Sequence, residues 1–214
     1  MRVIALIFLL AGSLTAVGCN AVGALSYKLG PPPMTDAKYV PQKDLAVVVV
    51  ENFRNPGSSE IDSEQLARLI ADEFRKNEVV PLVDDNAVSN LRDKDPKKFH
   101  TMSIPAIGRA VGAKQVFYVD LQAMVIDMAV GENLYKGSMN TTVRVVDVES
   151  THNRWPTDAQ QGWPVNLQTP LTQTDPSLTE GKIRRQMNES MAINIAHLFY
   201  KWYNVDEGSE IGRD

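Results

Sequence analysis

The run Leu45-Ala46-Val47-Val48-Val49-Val50 constrains this chain more than any other feature. Branching at Cβ stiffens χ1 and favours extended backbone, so four consecutive valines predict a strand. Successive strand side chains point to opposite faces. A strand that is apolar at every position therefore needs cover above and below, the situation of a central strand in an α/β domain.

Downstream of the run, helix-like and strand-like stretches alternate. After a turn at Asn55-Pro56-Gly57, with Ser58 or Ser59 as cap, Ile61, Leu66, Leu69, Ile70 and Phe74 recur at helical spacing. Val79 to Val83 is expected as a short second strand, and Pro81, which has no amide to donate, puts it at an edge or strand end. Asp84 is expected to cap a short helix reaching Leu91, the charged run Arg92 to His100 to form a solvated loop, and Ser103 to cap a third helix with Pro105 in its first turn and Gly112 at its end. Gln115 to Met128 and Tyr135 to Glu149 are strand-like and joined by a short turn around Gly131-Glu132-Asn133, which predicts an antiparallel hairpin. Thr151 to Asp175 is expected as a long polar loop. Ser177 with Glu180 forms a capping-box pattern ahead of a last helix whose stripe is Ile183, Met187, Met191, Ile195, Leu198 and Trp202. The fold class is α/β, with elements in the order β-α-β-α-α-β-β-(β)-α.

Residues 1–18 have the layout of an export signal: Arg2, the apolar stretch Val3 to Leu10, then smaller residues to Gly18. Gly12, Ser13 and Thr15 interrupt the stretch too early for the roughly 20 apolar residues of a membrane span. Leu14-Thr15-Ala16-Val17-Gly18-Cys19 is similar to the lipobox of bacterial lipoproteins, with Ala16 where leucine is usual. Cleavage and acylation at Cys19 are the expectation; ordinary cleavage nearby, with Cys19 unmodified, is the alternative. Cys19 is the sole cysteine of the chain, so it has no internal disulfide partner, and acylation would consume its thiol. Anchorage of this kind, by palmitate-like acyl chains, holds a protein at a bilayer surface without spanning it.

Residues 19–44 have no apolar period and contain Pro31-Pro32-Pro33 and Pro41, which predicts an extended tether, or, for its last few residues, a strap along the domain. Residues 45–205 are expected as a single α/β domain and residues 206–214 as a flexible tail.

A formal net charge of −4 lacks the basic footprint of a nucleic-acid binder. His100, His152 and His197 are far apart, without another ligand at metal spacing, and no phosphate loop, nucleophile elbow or zincin motif occurs. The acidic pairs Asp84-Asp85 and Asp93/Asp95 are explained by capping and solvated-loop roles. Neither an enzyme nor a metal or organic cofactor is expected.

Three phrases in order carry a family resemblance. Asp44 to Phe53, Ile107 to Tyr118, and Val143-Arg144-Val145-Val146-Asp147-Val148-Glu149-Ser150 with Trp155 resemble the opening strand, helix-to-strand passage and hairpin of the periplasmic domain of the curli-secretion lipoprotein CsgG and of the TolB amino-terminal domain. The resemblance spans about residues 44–204. It implies a two- or three-layer sandwich with a mixed β-sheet, working through protein contacts in the cell envelope. Asp120-Leu121, in place of the usual glycine, and the long 151–175 segment depart from that pattern.

The function expected is that of a non-catalytic interaction or assembly module, lipid-anchored on the periplasmic side of a bacterial membrane, inner or outer, with another envelope protein as partner. A periplasmic small-ligand-binding lipoprotein and a component of a CsgG-like export assembly are the alternatives. Trp155 and Trp163, each beside a proline in the 151–175 segment, are the candidate contact residues, because large aromatics dominate interface hot spots. The competing reading places Trp155 against the core.

Overall fold

The computed structural model describes residues 34–52, 60–129, 134–169, 172–173 and 179–203. The export signal 1–18, the turn at Asn55-Pro56-Gly57 with its Ser58 or Ser59 cap, the Gly131-Glu132-Asn133 turn and the tail 206–214 lie outside the described residues. Asp36–Lys201 forms one compact unit. In the other, strands β1 (Met34–Thr35) and β8 (Trp202–Tyr203) pair antiparallel.

The main sheet starts from the valine run. β2 (Ala46–Glu51) pairs in parallel with β3 (Gln115–Ala129), from Ala46 opposite Gln115 to Glu51 opposite Asp120. β3 and β4 (Leu134–Asp147) form the expected antiparallel hairpin, with a bulge between Leu121 and Ala123. Beyond β4 lie β5 (Asn153–Trp155), β6 (Trp163–Gln168) and β7 (Thr172–Gln173), each antiparallel to it. One parallel pair among antiparallel ones makes the sheet mixed.

Helices cover both faces and give three layers. α1 (Glu60–Lys76) and α5 (Glu180–Ala196) bury Leu66, Ile70, Phe74, Met187, Met191 and Ile195 against Val48, Val50, Phe117 and Val143. α2 (Ala87–Lys94), α3 (Pro96–Thr101) and α4 (Ile104–Ala110) cover Val47, Val49, Val116 and Tyr118 from the other side. The close seating of α4 depends on Gly108: a Cβ there would lie 2.5 Å from a Val148 methyl and 2.7 Å from a Val116 methyl.

Several expectations are corrected. β2 is buried on both faces, yet it ends the order β2-β3-β4-β5 and is not central. Its outer neighbour, Val79 to Val83, supplies only a single bridge, Leu82 to Ala46, because the chain leaves the strand at Asp84. Asp84 does not cap α2; it accepts from the Asn86 amide two residues further on, ahead of the helix. Ser103 stands at the N-cap of α4 without a side-chain capping bond. Arg92 to His100 is no solvated loop: α2 runs through Lys94, Asp95 caps α3 by accepting from the Lys98 amide, and Arg92 and Phe99 are buried. Thr151 to Asp175 is not a loop either, since β4 recruits three short strands from it. Thr179 caps α5 by accepting from the Lys182 amide, and Ser177, the expected cap, lies outside the described residues. That helix ends at Ala196, so Leu198 lies past it and Trp202 belongs to β8.

Of the segment expected as a tether, Asp36 to Asp44 lies along the domain. The Lys38 and Tyr39 amides donate to the Leu198 carbonyl at 2.8 and 3.0 Å. Lys43 Nζ donates to the carbonyls of Glu78 and Val79.

Candidate functional site

The two candidate tryptophans meet at the β5/β6 edge. Trp155 lies opposite Val145, and Trp163 opposite Val143, two residues earlier on β4. Both therefore sit on the face that carries the larger core, with ring centroids 5.5 Å apart and planes 30° from parallel. Trp155 is partly buried: Tyr39 stacks on it at 6.0 Å and Phe199 meets it edge-on at 5.6 Å. Phe199 in turn contacts Phe74 and Phe117 edge-to-face at 5.5 and 5.0 Å. Trp163 is 38% exposed; Pro164, Asn166 and Gln168, also exposed, point to the other face of β6. Gly162 permits the entry to β6 with φ at +96°, where a Cβ would come within 3.0 Å of the Val143 carbonyl oxygen.

A polar clamp below Trp155 ties the strap to the hairpin. Arg154 Nε donates to Asp147 Oδ2 at 2.7 Å, and Nη1 donates to Asp44 Oδ2 at 2.9 Å and Gln115 Oε1 at 3.2 Å. The buried Gln115 donates to the carbonyls of Gln42 and Asp44 at 2.8 and 3.0 Å. The Asp147 carboxylate accepts from the Ser150 amide at 2.7 Å; this bond, then Arg154, draws its pKa down to about 2. Burial lowers the Arg154 pKa, but hydrogen bonds to Asp44 and Asp147 outweigh it and leave the guanidinium more basic than usual.

On the opposite face, the Arg144 guanidinium lies 5.0 Å from the Tyr118 ring centroid and donates to the Gln160 carbonyl. Tyr118 has its pKa raised by burial and by the charges of Asp120 and Glu51. Asp120 Oδ1 is buried without a hydrogen-bond partner among the described residues.

The structure leaves the remaining candidates apart. Cys19 lies outside the described residues. The His100 ring lies edge-on to Phe99 and His152 Nδ1 lies 2.7 Å from the Ser150 carbonyl. His197 lies edge-on to Tyr200, its pKa lowered by burial against the opposing charge of Glu73. Among the described residues no group of three or more His, Cys, Asp or Glu is placed to hold a metal ion. No helix among them is long and apolar enough to cross a membrane.

Sequence reasoning missed Tyr39 and Phe199 as parts of this surface. Only their aromatic character was readable, because they reach Trp155 from opposite ends of the domain.

These features define a class: a mixed α/β sandwich that presents an aromatic sheet edge. The model of a family described as "Peptidoglycan-synthase activator LpoB" matches residues 29–160. The chain belongs to the LpoB family, whose description names activation of a peptidoglycan synthase. This assignment takes the place of the CsgG and TolB resemblance as the family, while the α/β fold expected from that resemblance stands. Comparison with curated proteins gives no match.

The LpoB C-terminal domain from Escherichia coli is 16% identical over 60% of this chain and 83% of its own, with TM-score 0.34. Lipoprotein GNA1162 from Neisseria meningitidis is 10% identical over 73% of this chain and 99% of its own, with TM-score 0.45. The PelC dodecamer from Paraburkholderia phytofirmans is 12% identical over 78% of this chain and 96% of its own, with TM-score 0.40.

Proposed function

We propose that this chain is an envelope lipoprotein, anchored through acylated Cys19, that activates a peptidoglycan synthase by direct contact and performs no catalysis itself. The observation that carries the reading is the family match over residues 29–160. In this reading the residues before the domain hold it off the bilayer, and the folded unit from Asp36 onward meets the synthase.

The contact surface centres on Trp163, with Trp155 behind it. Trp163 offers a large apolar face at the start of β6, next to the buried Val165 on the same side of the strand. Binding would remove that face from water, and Trp155, braced by Tyr39 and Phe199, supplies a rigid backing that lowers the ordering cost.

The test combines co-purification with enzyme rate. The full chain, extracted in detergent, is expected to retain a peptidoglycan synthase and to raise its rate of product formation. Trp163→Ala should keep the thermal midpoint within a few degrees while both signals fall. A midpoint several degrees lower assigns Trp163 to stability and removes it from the contact. Absence of any synthase effect from the unaltered chain overturns the functional reading. For the anchor, Cys19→Ser should abolish palmitate labelling, and unchanged labelling would reject it.

A further inference from the structure

We propose that the outer edge of β2 is a second binding site, which takes an extended peptide segment of another protein as an added strand. The direction of the main chain is the starting observation. The Ala46 amide donates to the Pro81 carbonyl, and the Val83 amide donates to the Ala46 carbonyl, both at 2.9 Å. Both main-chain groups of Ala46 thus face away from β3. Residues two apart in a strand face the same way, so the amides and carbonyls of Val48 and Val50 also point outward. The bridge to Leu82 is the only one made on this side by described residues, and none of them bonds those four groups.

Their surroundings make this significant. Val48 is 8% exposed and Val50 2%, so water reaches these polar groups poorly and an incoming strand has to part the two walls of the cleft to reach them. A buried main-chain group without a partner costs about 1–3 kcal/mol, and native structures satisfy nearly all of them. Here Val48 and Val50 line an open cleft. One wall is α1, which presents the small residues Ser63, Ala67 and Ala71; the other includes Leu82 and Val88. Four outward groups spaced along a strand match the spacing of an extended backbone. Small residues on the helix wall leave room for its side chains.

The cleft also selects the occupant. Because α1 and the 82–92 segment wall it on both sides, a single extended chain fits where the edge of a second copy, bearing the same two walls, does not. Arg92 is committed to Glu51 and Glu64 at 3.1 and 3.2 Å, and Arg75 to Asp72 and Asp85. Arg68, on the rim, has no carboxylate partner among the described residues. The segment that fits therefore alternates apolar residues and carries a carboxylate within reach of Arg68.

The probe is a displayed library of random seven-residue peptides, selected on the full chain in detergent. The winners are resynthesised with a fluorescent label for anisotropy. Alternating apolar residues with an acidic one should be enriched, and a bound winner should slow hydrogen exchange at the Val48 and Val50 amides about tenfold. Ala67→Trp, which fills the cleft from α1, should raise Kd about tenfold. Arg68→Glu, on the rim, should weaken acidic winners about fivefold even if the Ala67 variant fails to fold. Trp163→Ala should leave peptide affinity unchanged, which separates this site from the synthase contact. The proposal is overturned if no peptide is enriched, or if winners bind without protecting those two amides. Protection that rises with protein concentration alone would assign the edge to a second copy and overturn it equally.

Discussion

The two edges of the sheet are built in opposite ways. At the β2 edge every valine side chain is packed, while the outward main-chain groups of Val48 and Val50 have no hydrogen-bond partner among the described residues and face a cleft. At the β5/β6 edge β4 has paired its main chain with three short strands, and an aromatic side chain is left exposed. The first edge arises from one contiguous run of sequence. The second is assembled from Tyr39, Trp155, Trp163 and Phe199, which lie far apart along the chain. An edge of the first kind selects partners by backbone direction, and one of the second kind by the shape of a few rings.

If the aromatic edge rests on the core as described, its keystone is Phe199, which is 2% exposed and touches Phe74, Phe117 and Trp155. Phe199→Ala should cost about 3–5 kcal/mol, the range for a buried phenylalanine cut to a methyl. Denaturant unfolding reads the loss as a lower midpoint. A cost below about 1 kcal/mol would mean that the tryptophans stand independently of the core and would break the comparison.

The same contrast explains what was legible in the sequence. The valine run, the β3/β4 hairpin and the Met187/Met191/Ile195 stripe announced themselves because their period holds over many residues. The edge position of β2 could not be read, since it depends on how few residues after Pro81 stay beside the strand. The short strands β5, β6 and β7 have too few residues to show a period; β4 imposes their extended state. One missed signal was readable. Asp95-Pro96 is an N-cap followed by proline at the first helical position, and Phe99 is a lone apolar residue one turn on, which together spell α3 inside the charged run. Of the candidate site, Trp155 and Trp163 were legible by composition. Their stacking, the strap and the Arg154 clamp depend on contacts as distant as Asp44 with Arg154.

The clamp gives a smaller and sharper test of how the strap is held. Arg154→Ala should cost about 1–3 kcal/mol, because it leaves Asp44, Asp147 and the buried Gln115 short of a donor. Hydrogen exchange should rise first at Lys38 and Tyr39, whose amides tie the strap to Leu198, while the amides of β3 and β4 keep their protection. Uniform loss across the sheet would show that the strap is not a separable layer.

The last test uses pH, and it isolates one carboxylate at the base of the aromatic edge. Asp147 titrates at about 2 in the folded protein because the Ser150 amide and the Arg154 guanidinium hold its charged form. In the unfolded chain an aspartate titrates near about 3.9. Between those values the unfolded state binds the proton and the folded state does not, so stability falls as the pH drops through this window and rises as it is restored. Above about pH 4 the contribution is complete, and below about pH 2 it is gone. Asp147→Asn keeps the shape but removes the charge, so the variant should be less stable than the parent at about pH 7, with the gap closing as the pH falls from about 4 to about 2. Urea titrations of both proteins at closely spaced pH values measure that gap. A gap that stays constant would assign the loss to hydrogen-bond geometry alone and leave the carboxylate's charge with no part in holding Arg154 beneath Trp155.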